Sequence, residues 1–390
     1  MTSDNLIIDY DKHPGFNSSV NCWPYDLKLL HRFNCLYEEL KAGEILFDSS
    51  ELLKIHNLIF DSFRVDSNDL LDDAFITELH AKVAHEIKSH IKFFTTIAQC
   101  VRVDSSKSEA TQKREIKGEL TLLSLSKIAK LAATEIEQFT HAASMGKSDR
   151  ESLSQNSGFR IRRMIRLLNH EFKTNGVLDK LSLIYSGAFS VVGAAIELSV
   201  PQAGWWSHTD VGVSAPKTLY AHFDEGIDAP KAIIYLSNVN TDNGPFSYFP
   251  RVFDKLNLTG YQDLIGRCIT SIGSSNDSLL HQEYRSSVRR TSSSLFRTHF
   301  MKLPPEFRFN SHFGWDVMSG SALEALMIED EKVVLGQAGT FIVFDGGRTV
   351  HRGGIVQNER RIAIQVVFGE ASLKLSVIRL LRYCRKKLPF

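Results

Sequence analysis

Hydrophobic positions follow a helical spacing from about residue 30 to residue 145 and a strand spacing after about residue 180. The clearest helical stripe recurs every four residues, so its members lie on one side of a helix; they are Phe75, Leu79, Val83, Ile87 and Ile91. This stripe predicts a helix over about 69–101. A second apolar stripe predicts another helix, and its members are Ile116, Leu120, Leu123, Ile128 and Leu131.

Short runs of β-branched and aromatic residues, separated by Gly, Asn and Asp turns, dominate the second half of the chain. They predict strands over 190–200, 218–224, 231–237, 244–250, 339–345 and 361–368. Short strands with few helices between them are typical of an antiparallel sandwich or barrel. Residues 254–335 interrupt this pattern as a long insertion of mixed character. Long insertions commonly form lids or substrate-binding walls.

These patterns divide the chain into four parts. Residues 1–30 are polar and irregular, 31–157 are helical, and 158–370 form the strand-rich domain with its insertion. Residues 371–390 contain a basic amphipathic helix over 372–388. We therefore expect an α+β protein. The last helix could contact an anionic membrane surface, although packing on its own domain is favoured.

Composition excludes several classes of protein. A net charge of +1 argues against a nucleic-acid partner. The five cysteines are scattered without a Cys-x-x-Cys pair, which is typical of free thiols in a reducing compartment. The N-terminus has no signal-peptide pattern, and no apolar run approaches the roughly 20 residues that a membrane span needs. We expect a cytoplasmic protein without a transmembrane segment.

The first candidate site is His222-Phe-Asp224. Side chains on a strand alternate between faces, so the imidazole and the carboxylate would point the same way as two ligands for a divalent metal. A second His-x-Asp pair, His208 and Asp210, more readily belongs to a loop near the mouth of the site with Trp205 and Trp206.

We expect the third ligand at His351, which follows the predicted strand 339–345 and a Gly-Gly turn. Two histidines and one carboxylate form the facial triad of non-haem Fe(II) oxygenases, which leaves positions open for further ligands. Arg361 begins the next strand and could hold a carboxylate through two parallel hydrogen bonds. Its neighbour Arg360 is the alternative, because strand alternation allows only one of the two to face the core.

The segment from about 219 to 370 resembles the Fe(II)/2-oxoglutarate-dependent dioxygenases, most closely the phytanoyl-CoA dioxygenase-like branch. The residues that carry the resemblance are His222-Phe-Asp224, Asn243-Gly-Pro-Phe246 with Pro250, Phe344-Asp-Gly-Gly-Arg-Thr-Val-His351 and Arg361. The resemblance implies a double-stranded β-helix core (jelly-roll, cupin-like), with His222, Asp224 and His351 on Fe(II). It also implies 2-oxoglutarate as the cosubstrate, with its distal carboxylate on Arg361, and dioxygen. Tyr220 and Arg352 are further predicted to bind the cosubstrate.

Two features depart from the family pattern. The chain has Pro250-Arg-Val-Phe253 where the family usually has Pro-Gly-Ser-His, and the insertion makes the separation of Asp224 from His351 long. The expected activity is hydroxylation of a small organic molecule, with release of succinate and CO2. The alternatives are a prolyl-hydroxylase-like enzyme acting on a peptide, a cupin-like metal enzyme that uses no 2-oxo acid, and a catalytically inactive cupin-like binding module.

Overall fold

The structure of the protein is a computed structural model, which describes residues 6, 8–16, 22–43, 50–63, 70–103, 115–144, 159–185, 187–201, 217–272, 294–354 and 356–370.

Three helices begin the described chain: α1 (Leu27–Ala42), α2 (Ser50–Asp61) and α3 (Leu70–Val103). Helix α1 begins where the Asp26 side chain accepts hydrogen bonds from two free backbone N–H groups. It ends at Gly43, which takes a left-handed φ of 70°. Four members of the predicted α3 stripe, from Phe75 to Ile87, are buried, so the helical spacing identified the inward face correctly.

The larger sheet is antiparallel and has five strands in the order β1-β6-β3-β8-β2. Its strands are β1 (Glu115–Glu119), β2 (Phe189–Ser199), β3 (Pro230–Tyr235), β6 (Thr340–Asp345) and β8 (Arg361–Glu370). The last four correspond to strands that the sequence predicts.

Strand β1 is a correction, because the second apolar stripe predicted helix from Ile116 onward. Residues 115–119 instead pair with β6, with Ile116 opposite Val343 and Gly118 opposite Phe341. The stripe is helical only from Leu122, where α4 (Leu122–Ser144) begins. A short segment that adds to a sheet edge gains a ladder of backbone hydrogen bonds, and local apolar spacing does not report this.

The smaller sheet has three antiparallel strands in the order β5-β4-β7. They are β4 (Phe246–Phe249), β5 (Lys332–Val334) and β7 (Val350–Gly353). One cluster of buried side chains draws on both sheets: Tyr235, Ile342, Phe344 and Ala363 from the larger, and Phe246, Tyr248 and Val334 from the smaller. The two sheets therefore pack face to face over a shared core.

Helices cover the other face of the larger sheet. Helices α4, α5 (Phe159–Thr174) and α6 (Val177–Tyr185) follow one another in the chain. Their buried residues, such as Leu168 and Phe172, share a cluster with Ile196 and Ile364 of the sheet. Along β8, Ala363 and Ile364 thus serve opposite faces, as alternation requires.

The described part of the insertion packs against the N-terminal helices. Helix α7 (Val252–Lys255) leads into it, and it contains α8 (Gly260–Ile269), α9 (Ser294–Lys302) and α10 (Ala322–Asp330). One buried cluster joins residues of α1, α2 and α3 to α8, α9 and the segment 303–317. Helix α8 packs tightly on α1 at Gly260, where an added Cβ would lie 2.6 Å from the Tyr37 ring. The insertion and helices α1, α2 and α3 therefore share one core.

Several predicted features lie outside the described residues: the polar link near 146–158, the Trp205–Asp210 loop and the C-terminal amphipathic helix. Among the helices that the structure describes, none has the length and apolar character needed to cross a membrane.

Gly118→Ala should destabilise the protein through the β1 edge. The new Cβ would lie 2.6 Å from Cζ of the buried Phe341 ring, and such overpacking typically costs about 1–3 kcal/mol. The matched control is Gly193→Ala on β2, where the nearest atom would be 3.8 Å away. Urea unfolding should show a lower midpoint for Gly118→Ala alone. Equal midpoints for the two variants would contradict the packing described for β1.

Candidate metal centre

His222 and His351 face each other across a single antiparallel bridge. The His222 N–H donates to the His351 carbonyl at 3.0 Å, and the His351 N–H donates back at 2.8 Å. The predicted strand over 218–224 is wrong, since the bridge is isolated and residues 217–220 form a turn in which Tyr220 has φ of 65°. The bridge nevertheless places the two imidazole rings side by side, with centroids 4.4 Å apart.

Asp224 joins the two histidines. The backbone N–H of Asp224 donates to the Gly346 carbonyl at 2.8 Å, which fixes it beside the turn that precedes β7. Ligand atoms of His222, Asp224 and His351 all lie within 4.8 Å of one another. In the sequence, His351 lies 127 residues after the His222-Phe-Asp224 pair, and the fold brings the three together as a group able to hold one ion.

Both imidazoles are oriented by a carbonyl two residues earlier in the chain. Nδ1 of His222 lies 2.8 Å from the Tyr220 carbonyl, and Nδ1 of His351 lies 2.9 Å from that of Thr349. A carbonyl only accepts, so each Nδ1 carries the proton and each Nε2 carries the lone pair that binds metals. Burial, together with the neighbouring His222, lowers the pKa of His351 to about 3, so this ring is neutral at neutral pH.

The Asp224 carboxylate has two unlike oxygens. Oδ1 accepts from Nζ of Lys231 at 2.6 Å. Oδ2 is buried and, within the described part of the chain, has no hydrogen-bond partner. Burial raises the pKa of Asp224, but His351, Lys231 and His222 outweigh it and bring the pKa to about 2. A buried anionic oxygen without a partner is costly, and a divalent cation between Oδ2 and the imidazoles would satisfy it.

Arg361 is buried and Arg360 is exposed, as strand alternation allows for only one of the pair. Arg361 donates to the Gly244 carbonyl through Nη1 and to Ser199 Oγ at 3.2 Å through Nη2. It lies on the same face of β8 as Ala363, which belongs to the core between the sheets. Arg360 lies 3.3 Å from the Thr140 hydroxyl at the surface.

Tyr220 and Arg352, both predicted to bind the cosubstrate, have local contacts. Tyr220 supplies the carbonyl that orients His222. The Arg352 guanidinium contacts both carboxylate oxygens of Glu331, at 2.7 and 2.9 Å, and the Leu219 carbonyl at 3.2 Å. These contacts fasten β7 to the turn before His222, and a cosubstrate role for either residue stays a prediction.

His312, which the sequence did not single out, stacks on His222. Their ring centroids are 4.8 Å apart and their planes differ by 6°. Residues 311–314, which include His312, are attached to the residues around His222 by two backbone hydrogen bonds. The Phe223 N–H donates to the Ser311 carbonyl at 3.1 Å, and the Gly314 N–H donates to the Ala221 carbonyl at 3.0 Å. The insertion thus forms one wall of the site.

Arg267 of α8 joins the loop that contains Asp224 to the turn that contains Gly347. It is fully buried and donates to the Asp224 carbonyl at 3.0 Å and to the Gly347 carbonyl at 2.8 Å. Its charge is balanced by Asp263 at 2.8 Å. In the sequence the only signal is an acid and a base four residues apart on a helix, which is common on solvated faces.

The N-terminal helices complete this buried network. The Tyr37 hydroxyl of α1 donates to Asp263 at 3.2 Å and lies 2.5 Å from Nδ1 of His90 on α3. A chain of contacts therefore runs from α1 and α3 through Asp263 and Arg267 to the backbone of Asp224.

No protein-family model matches the chain, and no curated protein matches it. Among solved structures, the chain is similar to SnoN, a non-heme alpha-ketoglutarate-dependent epimerase from nogalamycin biosynthesis (12% identity, TM-score 0.35, covering 69% of this chain and 84% of that one). It is also similar to AviO1 from Streptomyces viridochromogenes Tue57 (11%, 0.36, 69% and 95%) and to EctD from S. alaskensis (13%, 0.35, 68% and 76%). At such identities and TM-scores, function has to be argued from the site's own residues.

Gly346→Ala should weaken metal binding without unfolding the protein. Its Cβ would lie 1.8 Å from Asp224 Oδ2, so the carboxylate must leave its position. Displaced ligand geometry typically costs about 10–100-fold in metal affinity. Gly226→Ala is the control, since its Cβ would meet nothing closer than 3.7 Å. Mn²⁺ titration followed by electron paramagnetic resonance measures both, and equal affinities would contradict the placement of Oδ2 in the site.

Proposed function

We propose that the chain is an Fe(II)- and 2-oxoglutarate-dependent dioxygenase that hydroxylates a small organic molecule. The observation that carries the proposal is the group of His222, Asp224 and His351, whose ligand atoms lie within 4.8 Å of one another. The histidine Nδ1 contacts leave Nε2 as the lone-pair nitrogen, and the buried Asp224 Oδ2 needs a cation.

The donor set fits Fe(II). Two histidines and one carboxylate on one side of an octahedral ion leave three positions for other ligands, as in non-haem Fe(II) oxygenases. Zn²⁺ also accepts such a set with an open position. We favour iron over zinc because the site also contains the buried Arg361, which could bind the carboxylate of 2-oxoglutarate, the cosubstrate of such oxygenases.

Arg361 is suited to the distal carboxylate of 2-oxoglutarate. A guanidinium binds a carboxylate through two parallel hydrogen bonds, and the Ser199 hydroxyl beside it offers a further donor. Arg361 contacts the carbonyl of Gly244. Gly244 in turn packs against Gly354, which lies three residues beyond His351: a Cβ added at Gly244 would be 2.7 Å from the Gly354 carbonyl oxygen. The arginine thus lies at the end of the strand that carries the last proposed ligand.

With iron, 2-oxoglutarate and dioxygen bound, such a centre supplies an oxidant that inserts one oxygen atom into a substrate C–H bond, while 2-oxoglutarate becomes succinate and CO2. The chain's own residues would bind and orient. His222, Asp224 and His351 hold the metal, and Arg361 holds the cosubstrate. Phe246 and Phe344, whose ring centroids lie 5.9 and 4.7 Å from that of His351, exclude water on the side of the core.

The double-stranded β-helix and the phytanoyl-CoA dioxygenase-like branch are part of this proposal. The double-stranded β-helix is supported by two facing antiparallel sheets, with His351 on β7 and Arg361 at the start of β8. The phytanoyl-CoA dioxygenase-like branch is supported by the Asn243-Gly-Pro-Phe246 turn. The substrate is proposed to be a small molecule that meets the wall formed by the insertion at His312.

Anaerobic addition of Fe(II) and then 2-oxoglutarate should produce a weak visible absorption band, because the 2-oxo acid chelates the metal. His222→Ala removes one ligand and should abolish the band while the circular dichroism spectrum is kept. In air, the wild-type protein should release succinate from 2-oxoglutarate. If the protein binds metal but shows neither the visible band nor succinate release, the oxygenase is refuted and a cupin-like metal enzyme is favoured. If the protein binds no metal, a catalytically inactive module is favoured.

Arg361→Gln should lower the affinity for 2-oxoglutarate about tenfold or more, because a hydrogen bond to a charged group is worth about 1.5–3 kcal/mol. Arg360→Gln, one residue away and exposed, is the matched control and should bind as the wild type does. Titration of the visible band with 2-oxoglutarate gives both affinities. Loss in Arg360→Gln instead would reverse the assignment of the anchor.

A further inference from the structure

Lys231 forms a direct ion pair with the side chain of Asp224, one of the proposed metal ligands. It belongs to β3, and its Nζ lies 2.6 Å from Asp224 Oδ1. Both side chains are mostly buried, with 18% and 15% of their surfaces exposed. On β3, Lys231 alternates with the buried Ala232 and lies on the same face as Tyr235. Tyr235 belongs to the core between the sheets, so the Lys231 side chain also points toward the smaller sheet.

The carboxylate of Asp224 is held from three directions. Its backbone N–H is bonded to the Gly346 carbonyl. The missing Cβ of Gly346 leaves the room that Oδ2 occupies, and Lys231 takes Oδ1. Without the lysine, the two oxygens would be equivalent, and rotation about the Cβ–Cγ bond would let either or both approach a metal.

Electrostatics alone would oppose a lysine here. A positive charge beside a site for a divalent cation repels that cation, so removing it should tighten metal binding if charge were its whole effect. Its contact with Oδ1 acts in the other direction, because it presents one defined oxygen to the ion. The sign of the change on mutation therefore distinguishes the two effects.

We propose that Lys231 is a positioning residue of the metal centre, which holds Asp224 Oδ1 so that Oδ2 alone is presented to the metal. This rests on the proposed function only for the presence of a divalent metal at His222, Asp224 and His351. A single carboxylate oxygen on the metal keeps a coordination position open that a two-oxygen mode would occupy.

The test is metal binding by the full-length, metal-free protein, with Mn²⁺ titration for affinity and Co²⁺ visible absorption for coordination. Lys231→Met keeps the length of the side chain and removes the donor. It should weaken Mn²⁺ binding about tenfold or more, the usual effect of losing a partner that orients a ligand, and it should change the Co²⁺ spectrum. Lys231→Arg keeps charge and donors and should restore most of the affinity.

The control is Lys92→Met, which breaks the exposed ammonium–carboxylate pair of Lys92 with Glu370 at 3.1 Å and should change neither readout. Unchanged or tighter Mn²⁺ binding by Lys231→Met would overturn the proposal. So would normal metal binding with lost 2-oxoglutarate affinity, which would make Lys231 a cosubstrate residue. If Lys231→Met does not fold, failure of Lys231→Arg to bind Mn²⁺ or to keep the Co²⁺ spectrum overturns it.

Failure of the proposed function is distinguishable from these results. A wild-type protein that binds Mn²⁺ but gives no Fe(II)–2-oxoglutarate band refutes the oxygenase, while the effect of Lys231→Met on Mn²⁺ affinity still supports its positioning role. A wild-type protein that binds no divalent metal overturns both.

Discussion

The candidate site depends on one backbone bridge, the pair of hydrogen bonds between His222 and His351. His222 does not lie in a strand of either sheet, so no long ladder sets its register. The neighbouring residues instead have different partners: Phe223 bonds to Ser311 in the insertion, and Asp224 bonds to Gly346 at the end of β6. Three consecutive residues thus join the smaller sheet, the insertion and the larger sheet. An error of one residue in the bridge would turn both His222 and Asp224 away from His351.

A short bridge of this kind needs support from outside the sheets, and the buried network around Arg267 supplies it. A buried guanidinium loses its hydration, and this free-energy cost is offset only when its charge is paired and its N–H groups donate hydrogen bonds. Asp263 pairs the charge, and the carbonyls of Asp224 and Gly347 use the donors. Tyr37 and His90 then join α1 and α3 to Asp263. This gives the N-terminal helices a reason to share one core with the insertion, because together they hold the loops that carry the carboxylate.

The sequence predicted what depends on local pattern. Alternation required that only one of Arg360 and Arg361 face the core, and Arg361, the preferred candidate, is the buried one. The β-branched runs predicted four strands of the larger sheet. It failed where distant pairing decides the outcome. Residues 115–119 join a sheet edge more than 200 residues away in the chain, and the stretch 218–224, which carries His222 and Asp224, is a turn and a bridge. Lys231, His312 and Arg267 carry no motif, since their importance comes only from the residues that the fold places beside them.

The charges around the site suggest why metal and cosubstrate should favour each other. Before loading, the proposed site contains one carboxylate, Asp224, and two cations, Lys231 and Arg361, and its His351 is neutral. A divalent metal alone adds two positive charges to a largely buried space that is already cationic, which is unfavourable in a medium of low dielectric constant. A 2-oxoglutarate dianion alone would satisfy Arg361 but leave Asp224 Oδ2 without a cation. Loaded together, their charges cancel, and the net charge of the site does not change. Since coupling between two ligands is reciprocal, each is expected to bind more tightly in the presence of the other, and the cosubstrate's charge offsets the repulsion between Lys231 and a metal at the proposed site.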